Sequence, residues 1–301
     1  MSDDLNGFAD FLYSFADIEI AKAYRGLDSL PEPSTKLVDE LQSKIATFLS
    51  SRRNKISRQV ISLVSRYIKS TQDEMTAEEE AAVVSVLQAI DLEDWSVLAG
   101  DVDGIIERIV SDQSVAALLQ VGIDVEARPE VLKIVNDRAI EYAQYRSAEM
   151  VGMRRDELGR LVQNPDASWS IADSTRGMIQ DDVAEAINNG WSIDKLSEVL
   201  QDNYAFSESR AETIARTETN MAMKKGAVEG YKASGVVSKK MWLTSDDELV
   251  DDECHENEDQ GPIDLDDEFV NGDMPHPNCR CSIIAIVEFE STKQTQDDEE
   301  E

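Results

Sequence analysis

At 301 residues, 41% of them hydrophobic, the chain is long enough for two domains and buries a core easily, while 62 acidic against 29 basic side chains leave a formal net charge of -33. Such a surface is repelled by bare duplex DNA and by anionic membranes. No apolar run approaches the roughly 18 residues of a membrane span, and the first residues, MSDDLNGFADF, carry acids where a secretory signal has a basic stretch, so a cytoplasmic place of assembly is expected.

In chain order, most of the sequence reads as helix. Phe8, Phe11, Leu12 and Phe15 line one face of a first helix, PEPS at 31–34 breaks it, and Leu37, Leu41, Ile45 and Phe48 make the next stripe. Thr76 and Glu79 form a capping-box pattern before AAVVSVLQAI, and shorter helices follow around Gly100 and Gly104. ARPE at 127–130 marks a boundary, because Pro129 suits a helix start. A long helix is expected from about Val131 to Leu161, ended by NPDASW, and another running to Gly190 as a left-handed cap. Ser192 caps a short helix ending near Asn203, and Ser207 or Ser209 starts the next, RAETIARTETNMAMKKGAVEGYKASG. On this helix Glu218 falls inside the apolar stripe of Ala211, Ile214, Ala215, Met221, Ala222 and Val228. A carboxylate there needs a cation, and Arg280 or Arg216 is the expected partner.

After Gly235 the period changes. VVSKKMWLT at 236–244 and SIIAIVEFE at 282–290 read as a small antiparallel sheet, with an acidic, loop-like excursion from Ser245 to Pro277 between them. The fold class is therefore mainly α: a helical N-terminal region, residues 1–128, followed by a small α+β domain, 129–290, with a short antiparallel sheet and a Cys/His-clamped loop. An acidic tail, 291–301, reads as solvated and disordered.

The sheet would bring Cys254 near Cys279 and Cys281. With His276 these are the types and number of ligands for a tetrahedral zinc site, and His255 competes for a place. The spacing is not a common knuckle, and buried thiols beside a surface histidine, or a Cys254 disulfide, are the other readings. The run ENEDQGPIDLDD at 256–267 has the glycine of a calcium loop, but starts with Glu and ends with Asp where a bidentate Glu belongs, so it reads as a solvated loop. With only two histidines, both close to cysteines, a Ser-His-Asp triad is not expected, and there is no Walker A motif. A basic stretch, Arg52, Arg53, Lys55, Arg58 and Arg66, reads as an exposed helix face rather than a phosphate contact.

SRAETIARTET at 209–219, MWLTSDD at 241–247, Cys254 and MPHPNCRC at 274–281 together resemble the phage head morphogenesis domain, the family of the Mu F-like minor head proteins. The residues that carry the likeness are Arg216, Thr217, Glu218, Trp242, Thr244 and Asp247, then Pro275, His276, Pro277, Cys279, Arg280 and Cys281. It extends less sharply upstream to about Ala139. Members often carry C-x-x-C where this chain has Cys254-His255-Glu256-Asn257, so either His255 or His276 takes the missing place in a metal site. The resemblance implies a minor head protein of a tailed phage, located in the head interior or at the portal vertex. It implies portal, scaffold or major capsid protein as partners, and no catalytic activity. A zinc-dependent hydrolase or nuclease, with Glu256 or Asp273 as general base, is the reading from another class.

Overall fold

A computed structural model of the chain describes residues 30–68, 81, 95–167, 170–245 and 247–287. The Phe8–Phe15 stripe, the Thr76 and Glu79 capping pattern, the side chain of Arg66 and the tail from residue 288 lie outside the described residues.

Helix α1, Thr35–Ile68, buries Leu37, Leu41, Ile45 and Phe48 at three- and four-residue spacing and continues the stripe through Ile56, Val60 and Val64. Helix α2, Ser96–Gln120, follows Trp95, whose ring packs edge-on to Phe48 at 5.1 Å. Arg52 lies 4.8 Å over that same Phe48 ring, and Arg58 Nε closes on the Asn54 carbonyl of its own helix. Helix α3, Pro129–Met150, begins with its proline at the first helical position.

The helix expected to reach Leu161 stops at Met150 instead. Gly152, at φ +74°, ends it in the left-handed region, and a hairpin follows: β1, Met153–Arg155, antiparallel to β2, Leu161–Gln163. Asp156 Oδ1 accepts from the amides of Leu158 and Arg160, so a side chain supplies the turn that a continued helix could not.

Serines start the next three α-helices. Ser170 caps helix α4, Ile171–Asn188, which ends before Gly190 at φ +61°; Ser192 caps α5, Ile193–Asp202; and Ser207 caps α6, Glu208–Ser234. Arg210 in the first turn of α6 ties this junction together. It is buried, and donates to Thr175 Oγ1, Ser174 Oγ and the carbonyls of Ile171 and Ala205. Gly235 at φ +68° ends α6 as expected.

Helix α6 is the spine. Its packing against α2 is backbone to backbone: a Cβ on Gly226 would lie 2.6 Å from the Val110 carbonyl oxygen, and one on Gly230 2.5 Å from that of Ser114. Ser114 Oγ also donates to the Gly226 carbonyl at 3.0 Å. One buried cluster runs from Leu37 to Ala222 and takes side chains from α1 through α6.

Beyond α6, β3, Lys239–Leu243, is the central strand of a three-stranded antiparallel sheet. Its expected partner β5, Ser282–Ile286, pairs with Trp242 opposite Ile283 and Lys239 opposite Ile286. The intervening excursion is more ordered than a loop: it contains helix α7, Asp252–Asp259, and strand β4, Ile263–Asp264, on the other edge of β3. Residues 256–259, the start of the calcium-like run, are therefore helical, and Gln260 Oε1 accepts from the Val270 amide. Among the described residues no helix is long and apolar enough to cross a membrane.

Candidate metal centre

Three acidic residues, Asp251, Asp252 and Glu253, suit the N-terminus of α7, and the helix turns Cys254 and Asn257 inward. Asn257 is 0% exposed. Its Nδ2 donates to the Gly272 carbonyl at 3.0 Å and its Oδ1 accepts from the Asn271 amide at 2.9 Å, while Asn271 Nδ2 returns to the Glu253 carbonyl. These bonds hold the 269–274 segment on α7, where Phe269 packs edge-on to Trp242 at 5.1 Å. Cys254, Cys279, Cys281, Trp242, Phe269, Ile283 and Val228 form one buried cluster.

Within it, Cys254 Sγ lies 3.1 Å from His276 Nε2 and 3.7 Å from Cys279 Sγ. The potential ligand atoms of Cys254, His276 and Cys279 all fall within 4.8 Å of one another. His276 Nδ1 faces two acceptors, the Pro277 carbonyl and Asp251 Oδ2, each at 2.9 Å. With the proton on Nδ1, Nε2 faces the thiols with its lone pair, the arrangement that a metal-binding imidazole needs. Cys281 is buried in the same cluster but outside that tight group, and its thiol interacts with those of Cys279 and Cys254. All three cysteines are free thiols, and His255 is exposed.

The thiols are electrostatically unequal. A hydrogen bond from Cys281, and then the Lys224 ammonium acting against burial, push Cys279 down to about 5. Burial and the neighbouring Cys279 charge push Cys254 up to about 11. The group thus already favours one thiolate, the form that binds soft divalent metals.

Most of the motif residues close on this loop. Asp247 makes a bidentate pair with Arg280 at 2.6 and 2.7 Å. Thr244 donates twice to Glu258 of α7, from its hydroxyl to Oε2 at 3.0 Å and from its amide to Oε1 at 3.3 Å. Thr217 Oγ1 accepts from the Asn278 amide at 3.0 Å, where Asn278 takes the left-handed φ of 59°. Asn220 Nδ2 donates to the Cys281 carbonyl. Arg216 is exposed, pairs with Glu212 of its own helix at 3.5 Å, and lines a surface pocket together with Asn278 and Arg280.

Glu218 departs from expectation. Its partner is neither Arg280, which is held by Asp247, nor Arg216, but Arg146 of α3, whose Nε and Nη2 each donate to the carboxylate at 2.7 Å. Arg146 also donates to Glu149 at 2.6 Å. Nothing in the sequence near Glu218 points to a residue 72 positions upstream. Lys224, which lies beside Cys279, was not singled out from the sequence; the signal available was that Thr217, Asn220 and Lys224 share one face of α6.

Residues 177–284 match the model of a protein family described as Phage Mu protein F like protein, the family that the motifs resemble. The matched segment starts inside α4 and ends inside β5, so it includes the whole Cys/His cluster and leaves α1 to α3 out. Comparison with curated proteins and with solved structures gives no match in either case. The family match supports a phage head morphogenesis protein.

Proposed function

We propose that the chain is a minor head protein of a tailed bacteriophage, acting in procapsid and head assembly through contact with the portal, and that zinc clamps its C-terminal module. The observation that carries this reading is the family match over 177–284 coinciding with the Cys254, His276 and Cys279 group. Two sulfurs bound tetrahedrally to zinc at about 2.3 Å lie about 3.8 Å apart, and Cys254 and Cys279 already have a 3.7 Å separation. The Cys254–His276 contact opens by a few tenths of an ångström to admit the ion. Bound zinc fixes ligands from α7 to ligands before β5 and so closes the acidic excursion.

The role is structural rather than catalytic. The two carboxylates suited to act as general bases are engaged elsewhere: Glu256 accepts from Asn271 Nδ2 at 2.8 Å, and Asp273 lies 3.7 Å from the Lys240 ammonium. The N-terminal helical region is the proposed surface for portal, scaffold or major capsid protein, in a head assembled in the host cytoplasm.

Co-expression with the portal and major capsid proteins tests the assembly role. The expected result is co-purification with the portal and aberrant heads when this chain is omitted; normal infectious heads without it refute the proposal. Elemental analysis of the purified chain, with Cys279→Ser as control, tests the metal.

A further inference from the structure

Lys224 is 3% exposed and sits in the last half of α6. Its Nζ lies 3.2 Å from Cys279 Sγ, donates to the Asp273 carbonyl at 3.1 Å and stands 4.1 Å from the centre of the Trp242 ring. None of these partners is a carboxylate. The nearby Asp273 side chain faces a different ammonium, that of Lys240. Of these contacts only the Cys279 sulfur can carry a negative charge, so the geometry aims the Lys224 amine at the sulfur cluster.

This inference rests on the metal-centre reading above and decides how many thiolates the centre uses. A divalent ion with the Cys254 and Cys279 thiolates and a neutral His276 sums to zero, which leaves Lys224 in surplus. Adding the Cys281 thiolate leaves one negative charge, which Lys224 matches. We propose that Lys224 is a positioning residue of a closed centre with Cys254, His276, Cys279 and Cys281 as ligands, its ammonium donating to the Cys279 sulfur and balancing the negative charge of the third thiolate. Removal of the donor both uncovers that charge and raises the electron density on sulfur.

The test uses the full chain, titrated with cobalt(II) and then with zinc against a chromophoric chelator. The wild type is expected to give the absorption of tetrahedral, thiolate-bound cobalt. Lys224→Met is expected to bind zinc on the order of 10- to 100-fold more weakly, and to move the sulfur-to-cobalt charge-transfer band to longer wavelength, which a general packing defect does not do. Adding Cys281→His, which removes one thiolate charge, is expected to recover most of the loss. Should Lys224→Met not fold, Cys281→His alone is expected to weaken binding by leaving Lys224 unbalanced. An unchanged affinity and band in Lys224→Met, or undiminished affinity in Cys281→His, overturns the role of Lys224 and leaves the metal centre standing. A wild-type chain that takes up neither ion removes the centre itself, and this inference with it.

Discussion

Arg146 and Glu218 form a bidentate ion pair between α3 and α6, both side chains almost wholly buried, at 3% and 5% exposure. Burial works against the guanidinium charge, yet the Glu218 carboxylate raises the Arg146 pKa above its ordinary value. Glu218→Ala leaves Arg146 with Glu149 as its remaining carboxylate, while Arg146→Met takes the arginine from both Glu218 and Glu149, so the arginine change is expected to lose about 3–5 kcal/mol of stability and the glutamate change less. Arg146→Met with Glu218→Leu should lose much less than the sum. Urea denaturation of the three variants measures this, and additive losses contradict it.

The α2–α6 contact leaves no room for a methyl group. Gly226→Ala and Gly230→Ala drive a Cβ into the Val110 and Ser114 carbonyls, and each should cost at least about 1–3 kcal/mol as the helices separate. Gly100 in α2 is exposed, with nothing within 4 Å of a Cβ, so Gly100→Ala should gain up to about 1 kcal/mol. Thermal denaturation midpoints should move in opposite directions.

Asn278 holds a left-handed φ of 59° while its amide reaches Thr217. Asn278→Gly is expected to be nearly neutral, whereas a branched residue, as in Asn278→Val, should cost about 1–2 kcal/mol. The valine variant should also weaken metal retention against a chelator, since the strain falls next to Cys279. Equal behaviour of the two variants would mean that the turn relaxes freely.

Glu229 of α6 accepts from Lys225 on its own helix and from Arg138 of α3, at 2.6 and 2.7 Å. Burial alone would raise its pKa, but the Lys225 hydrogen bond and the charges of Lys225, Arg138 and Lys232 lower it below the ordinary 4.5. A depressed carboxylate contributes stability that is complete above the unfolded value and is lost as the pH falls through the folded one. Glu229→Gln should therefore be less stable than wild type at pH 7, by about 1–3 kcal/mol. It should also lose less stability on acidification below 4.5. Parallel stability curves for the two proteins across that range would show that Glu229 does not contribute.

Local signals made much of the fold legible. Caps at Ser192 and Ser207, stops at Gly190 and Gly235, the α1 stripe and the pairing of 239–243 with 282–286 all follow from rules that act within a few residues or along one alternating strand. The motifs likewise pointed to Cys254, His276, Cys279 and Cys281 as one group, of which the first three bring their ligand atoms within 4.8 Å of one another. The hairpin at 153–163 was hidden because an apolar pattern runs through it, although Gly152 and the Asp156 turn carried the signal. Helix α7 was hidden because its composition is that of a solvated loop, and its order comes from burying Cys254 and Asn257 against distant backbone.

The sequence by itself determined which residues must be inside and which carry the family motifs, because hydrophobic period and turn chemistry are properties of neighbouring residues. Only the tertiary structure decided who meets whom. Glu218 announced that it needed a cation, and the packing of α3 on α6 chose Arg146; Arg280, which stood closer in the motif, was taken by Asp247. Lys224 beside Cys279 is the same kind of choice. A buried charge requires a partner, but which partner reaches it depends on the crossing of elements far apart in the chain.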